Sequence, residues 1–119
     1  MDVQTAMAKT FGIKDKDKML EARAALFKEG GFCKDVTDKL EAFLTQKGTK
    51  YAIAGHMTAA DIFVFTIMNS MRCGFLDGID KEFLNDFPTL LRLVSTVAAH
   101  PSVQAYYESQ PELYACFKQ

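Results

Sequence analysis

The stretch Gly55-His56-Met57-Thr58-Ala59-Ala60-Asp61-Ile62 constrains this chain more than any other, because it fixes where the most apolar helix begins. Thr58 suits an N-cap, since its hydroxyl can accept from a free backbone N–H of the first helical turn. Asp61 follows three residues later, so its carboxylate can reach back to the Thr58 N–H. This is a capping box with Asp in the Glu/Gln position, and the negative charge suits the positive end of the helix dipole. Met57 before the cap and Ile62 after the box have the spacing of a hydrophobic staple. The run Ile62-Phe63-Val64-Phe65-Thr66-Ile67-Met68 is apolar on every face, which predicts a helix from Ala59 to about Arg72 at the buried centre of the domain.

The remaining pattern is helical throughout. Val3, Met7 and Phe11 share one face of a helix over Asp2–Phe11, which Gly12 ends. The alternating charges of residues 14–18 read as a solvated turn. Leu20, Ala24 and Phe27 form a stripe on a helix from Asp17 to Lys28. Gly30-Gly31 follows, and two glycines cost about 2 kcal/mol inside a helix, so the helix either stops and restarts there or bends. Phe32, Val36, Leu40, Phe43 and Leu44 make the next stripe, with Lys34, Asp38, Lys39 and Glu41 opposite. Tyr51 and Ile53 are apolar pins in the loop that leads to the box. After the central helix, a short turn of helix fits Lys81–Leu84. Pro88 then starts a helix with Leu90, Leu91, Val94, Val97 and Ala98 inward. Pro101 opens a last short helix with Val103, Tyr106 and Tyr107 inward, and the apolar tail Leu113–Phe117 should dock on the body. No useful strand alternation occurs. The expectation is an all-α fold, a single domain over residues 1–119, with a right-handed bundle of about five or six helices.

Composition narrows the function classes. A net charge of -1 with no strongly basic stretch argues against a nucleic-acid or anionic-membrane surface. The longest apolar run is too short to span a bilayer, and the N-terminus lacks the pattern of a signal peptide. Cys33, Cys73 and Cys116 are widely separated, and the only histidines are His56 and His100. A disulfide framework or a structural zinc site is therefore not expected, and three isolated thiols fit the cytosol.

Candidate chemistry is sparse. Asp61 is explained by its capping role, and no catalytic or metal-ligating residue is assigned. His56 reads as an exposed loop residue. No phosphate-binding loop, serine elbow or His-Glu metal motif is present. None of the four tyrosines is paired in sequence with a histidine or carboxylate that would activate it.

Gly-x-x-Thr-x-Ala-Asp opening a buried helix resembles the capping motif of the all-helical C-terminal domain of cytosolic glutathione transferases. Phe87-Pro88-x-Leu90 and His100-Pro101-Ser102-Val103-x-x-Tyr106 resemble the next two landmarks of that domain, in the right order. The resemblance covers most of the chain from about Lys16 onward and is sigma-like. It implies the helical half of a glutathione transferase, contributing an apolar substrate pocket and dimer contacts. The positions it suggests for that pocket are Met7, Phe11 and Phe117. Glutathione would be a cosubstrate only if a thioredoxin-like domain were supplied, so this chain alone is expected to carry no cofactor and to be inactive. A thioredoxin-like domain, another protein or a second copy is the expected partner, on an exposed apolar face carrying Val3 and Met7. The alternative is a freestanding, non-catalytic interaction module of the same fold.

Overall fold

A computed structural model describes residues 2–74 and 76–113. Six α-helices and one 3-10 turn follow in order: α1 (Val3–Phe11), α2 (Lys16–Phe27), α3 (Phe32–Lys47), α4 (Ala59–Arg72), the 3-10 turn Phe83–Asp86, α5 (Pro88–Ala98) and α6 (Pro101–Glu108). The described residues contain no strand, so the fold is all-α. None of these helices is long and apolar enough to cross a membrane.

Local chemistry sets the helix ends. The Asp2 carboxylate accepts from the Thr5 N–H at 2.7 Å and starts α1; Asp15 does the same for α2 through Lys18 at 3.1 Å. At Gly30-Gly31 the helix stops and restarts. Gly30 has φ 84°, and a Cβ on Gly31 would lie 2.2 Å from the carbonyl oxygen of Ala25, so the chain can fold tightly against the end of α2 only without a side chain there.

The most sealed helix is α5. Leu90, Val94 and Val97 have no exposed surface and Leu93 is nearly as buried, while α3, α4, α6 and the 3-10 turn all pack against this helix. The first backbone N–H groups of α5 lie at a part-buried end of that helix. Its N-cap residue is Phe87, whose side chain can accept no hydrogen bond, and Pro88 removes one donor. The remaining donors are met from α3, where Glu41 accepts from the N–H of Thr89 and of Leu90, each at 2.8 Å. Thr45 and Thr89 join the same two helices through their hydroxyls at 2.8 Å. Sequence periodicity puts Glu41 on the outer face of α3; in the fold it is half-buried and caps another helix.

Five expectations on packing are corrected. The central helix α4 spans the predicted residues, but it is not buried on all sides. Phe65, Met68 and Met71 face the core, while Ile62 and Phe63 are exposed, Phe63 by 57%. On α2, Ala24 is exposed and the buried residue is Arg23. On α3, Phe43 is exposed and the sealed positions are Cys33, Thr37 and Leu44. In the loop before the box Ile53 is exposed, and Ala52 is the buried pin instead. The short helical turn forms two residues later than expected, and Tyr106 of α6 faces solvent.

Cys33 is a free thiol, as expected, whereas Cys73 is disulfide-bonded. The argument for a reducing compartment therefore rests on Cys33 alone, and a fully buried thiol is shielded in any compartment. Phe75 and the tail beyond Leu113, with Cys116 and Phe117, lie outside the described residues.

Replacing Glu41 by Ala removes the acceptor of two part-buried donors at once. The expected outcome is a loss of about 2 kcal/mol, read from urea midpoints, with Glu41→Gln recovering part of it. An unmoved midpoint for Glu41→Ala would show that water satisfies the α5 terminus.

Candidate functional site

The sequence-predicted residues fall into two groups in the fold. Met57, Thr58, Asp61 and Ile62 gather at the start of α4, where the capping box is formed. Asp61 is fully buried. Its Oδ2 accepts from the Thr58 N–H at 2.9 Å and from the Thr58 hydroxyl at 3.1 Å. Its Oδ1 is also engaged, accepting from the Ala52 N–H at 2.7 Å. This last bond reaches nine residues back and ties the loop before the box to the helix. No spacing rule would have found it, because the donor is a backbone group in an irregular segment. With both oxygens taken by fixed donors, Asp61 has no free lone pair aimed at a substrate, and its geometry is that of a structural carboxylate. His56 is exposed in the same loop.

The second group lines a cleft of about 280 Å³ between α1 and α4, walled by Val3, Met7, Phe11, Ile67, Met71 and Leu76 with Gln4, Thr66 and Ser70 as its polar atoms. Met7 and Phe11 both belong to it; Phe117 lies outside the described residues. Val3 and Met7 are buried in the body of the domain, so the face they share is not an exposed patch. Phe11, at 62% exposure, is the large apolar side chain of α1 that is open to solvent. Arg23 holds this helix in place. Its guanidinium is buried, donates to the Thr10 hydroxyl at 3.0 Å and to the Asp77 carbonyl at 2.9 Å, and lies 4.9 Å from the centre of the Phe11 ring.

A larger recess, about 730 Å³, lies between α4 and α6. Sequence reasoning missed it because it placed Ile62 and Tyr106 in the core. Its wall includes both residues together with Met57, Phe65, Val103 and Tyr107. Tyr107 stands edge-on to Phe65 at 6.1 Å between centroids and to Tyr106 at 5.3 Å, and burial raises its phenol pKa. A raised pKa makes the phenol a weaker acid that stays protonated at neutral pH. Val103 and Tyr107 are held there by α6, whose first turn is capped by His100 Nδ1 accepting from the Ser102 N–H at 3.2 Å.

No group of three or more His, Cys, Asp or Glu side chains is placed to hold a metal ion among the described residues. Cys33, the free thiol, has no exposed surface, and burial pushes its pKa up to about 11. It is therefore not a nucleophile near neutral pH.

Two outcomes follow from these groups. Asp61→Ala strips the partner from Ala52 and Thr58 together and should lower stability by about 3 kcal/mol, against about 1 kcal/mol for Thr58→Ala. In the double variant the two losses should sum to less than their total, because they remove parts of one motif. For Cys33, the folded state holds its proton to about pH 11 while the unfolded thiol releases it near the ordinary value of 9.0. Its contribution to stability is thus complete below pH 9 and lost as the pH rises towards 11. Thermal melts across that range should fall more steeply for the parent chain than for Cys33→Ala; parallel slopes would contradict the burial of this thiol.

No curated protein and no solved structure matches the chain significantly. The family profile described as glutathione S-transferase, C-terminal domain, matches residues 1–110, nearly the whole chain, and its all-helical character agrees with the fold found here. The chain therefore belongs to the glutathione S-transferase C-terminal domain family.

Proposed function

We propose that this domain is the helical half of a sigma-like glutathione transferase, lining a pocket for apolar substrates and contributing dimer contacts, and not catalytic by itself. The observation that carries this reading is the α1–α4 cleft, in which Met7 and Phe11 meet the central helix in a recess with no charged side chain among the described residues that line it. Such a recess suits an apolar electrophile and not glutathione, a peptide with two carboxylates and an ammonium group. Conjugation needs a group that favours the glutathione thiolate and a polar cleft for its peptide. In this reading both come from a thioredoxin-like domain, and glutathione is a cosubstrate only with that domain present. The residues of this chain support that division. Asp61 spends both oxygens on fixed donors, and Cys33 is sealed and protonated. Membership of this family supports a cytosolic location in this reading.

One observation favours the alternative of a freestanding interaction module. Ile62, Phe63, Tyr106 and Leu113 are large, exposed apolar side chains, all on or beside α4 and α6. Clustered exposure of this kind usually marks an interface. The partner would be a protein, or a second copy, and not a nucleic acid or a membrane.

Calorimetry with glutathione and an assay with chlorodinitrobenzene test the first reading. The chain alone is expected to show no dissociation constant below about 1 mM and no turnover above the uncatalysed rate. Adding a thioredoxin-like domain of the same family is expected to restore conjugation, with Phe11→Ala raising the KM for the aromatic substrate. Failure to restore it, together with a stable self-complex in solution, would favour the interaction module.

A further inference from the structure

Arg23 reaches two parts of the α1–α4 cleft wall without lining the cleft itself. Its Nε donates to the hydroxyl of Thr10 at 3.0 Å, and the next residue, Phe11, belongs to the wall. Its Nη1 donates to the carbonyl of Asp77 at 2.9 Å, and the preceding residue, Leu76, belongs to the wall as well. The Arg23 Cζ also lies over the Phe11 ring, 4.9 Å from its centre.

Each of these contacts is directional. The Thr10 hydroxyl spends its own proton on the Met7 carbonyl at 2.7 Å, so it is left to accept from Arg23. No carboxylate among the described residues pairs with the guanidinium, so neutral acceptors and one ring fix its place. A planar fork bonded to two separate segments sets them at one spacing, which a flexible ammonium would not. The base of the fork is firm, because Arg23 is buried on α2 and Leu20, one turn earlier, packs on the same segment. A Cβ on Gly78, the residue after Asp77, would lie 2.9 Å from Leu20 Cδ2.

The spacing matters because the cleft is small. Its volume of about 280 Å³ falls below the range of about 300–1,000 Å³ common to small-molecule sites. A larger occupant would have to push Phe11 and Leu76 apart, and the two Arg23 hydrogen bonds cannot both survive that movement.

We infer that Arg23 is a positioning residue that sets the width of the α1–α4 cleft and so restricts it to single-ring substrates. The inference rests on the reading of that cleft as the substrate pocket and adds a size limit held from outside its lining.

NMR of the full chain with labelled methionine methyls tests it, because Met7 and Met71 line this cleft while Met57 lines the other recess. The probes are dinitrobenzene and dinitronaphthalene, both uncharged and differing by one fused ring. In the parent chain dinitrobenzene should shift Met7 and Met71 saturably and bind about tenfold more tightly than dinitronaphthalene. Thr10→Val removes the hydroxyl that Arg23 donates to, at nearly constant volume, and should bring the two affinities within about threefold. Thr10→Ser keeps that hydroxyl and should hold the parent ratio. Arg23→Lys keeps the charge but not the fork and should relax the ratio as Thr10→Val does. Glu41→Ala lowers stability from α3 and should leave the ratio unchanged, which separates positioning from a plain loss of stability.

If neither probe shifts Met7 and Met71 in the parent chain, the reading of the cleft falls and this inference with it. If dinitrobenzene binds there, four results overturn the inference alone. They are a parent chain that does not discriminate, a Thr10→Val chain that keeps the parent ratio, a Thr10→Ser chain that relaxes as far as Thr10→Val, and a Glu41→Ala chain that relaxes equally. Should Arg23→Lys fail to fold by circular dichroism, the two Thr10 variants decide.

Discussion

The Glu41 carboxylate under the first turn of α5 is the contact on which the rest of this fold depends. A helix with Leu90, Val94 and Val97 wholly out of water gives the domain its core. It can take that place only if its N-terminal N–H groups find acceptors inside the protein. Phe87 and Pro88 supply none from the helix itself. Glu41 reaches across from α3 and meets two of them with charge-assisted bonds, where a carboxylate also opposes the positive end of the α5 dipole. Burying α5 and orienting α3 are thus one event, and α4 packs on α5 and the 3-10 turn.

The two recesses follow from that arrangement. With α5 filling the centre, α4 needs to bury only one side, through Phe65, Met68 and Met71. Its other sides border α1 and α6 without being filled by them. The chain thereby keeps apolar surface accessible on its most hydrophobic helix, which a domain of this size would otherwise bury for stability. Its acids serve the scaffold: Asp61 and Glu41, the two with the best-defined donors, both terminate helices. What remains at the recesses, among the described residues, is shape, apolar surface, a few neutral polar groups and the single acid Glu112.

The local part of this architecture was legible in the residues. Asp61 three places after Thr58 announced the start of α4, and Pro88 and Pro101 announced α5 and α6. These signals act within one turn of chain, so short spacings carry them. What could not be read there depends on residues far apart. Glu41 looked like any solvated glutamate until α5 was placed beside it. Arg23 carries no local signal, since its acceptors sit 13 and 54 residues away. Ile62 and Phe63 looked like core because hydrophobicity alone does not say which faces of a central helix will find neighbours. The α4–α6 groove was hidden for the same reason, since a recess is made by what fails to meet across it.

Arg23 has a further consequence, for the way the molecule opens. A helix of nine residues such as α1 is too short to hold itself, and a terminal one would ordinarily fray on its own. Here its Thr10 hydroxyl and Phe11 ring engage a buried guanidinium that also holds the carbonyl of Asp77, in the segment after α4. Freeing α1 would strip that cation of one acceptor and its aromatic partner while leaving it enclosed, and no carboxylate among the described residues is close enough to neutralise it. Detachment of the first helix is therefore coupled to loosening of α2 and of the turn beyond α4. Amide exchange in α1 should accordingly keep pace with these distant segments, making the N-terminus a member of the cooperative unit and not its loose end.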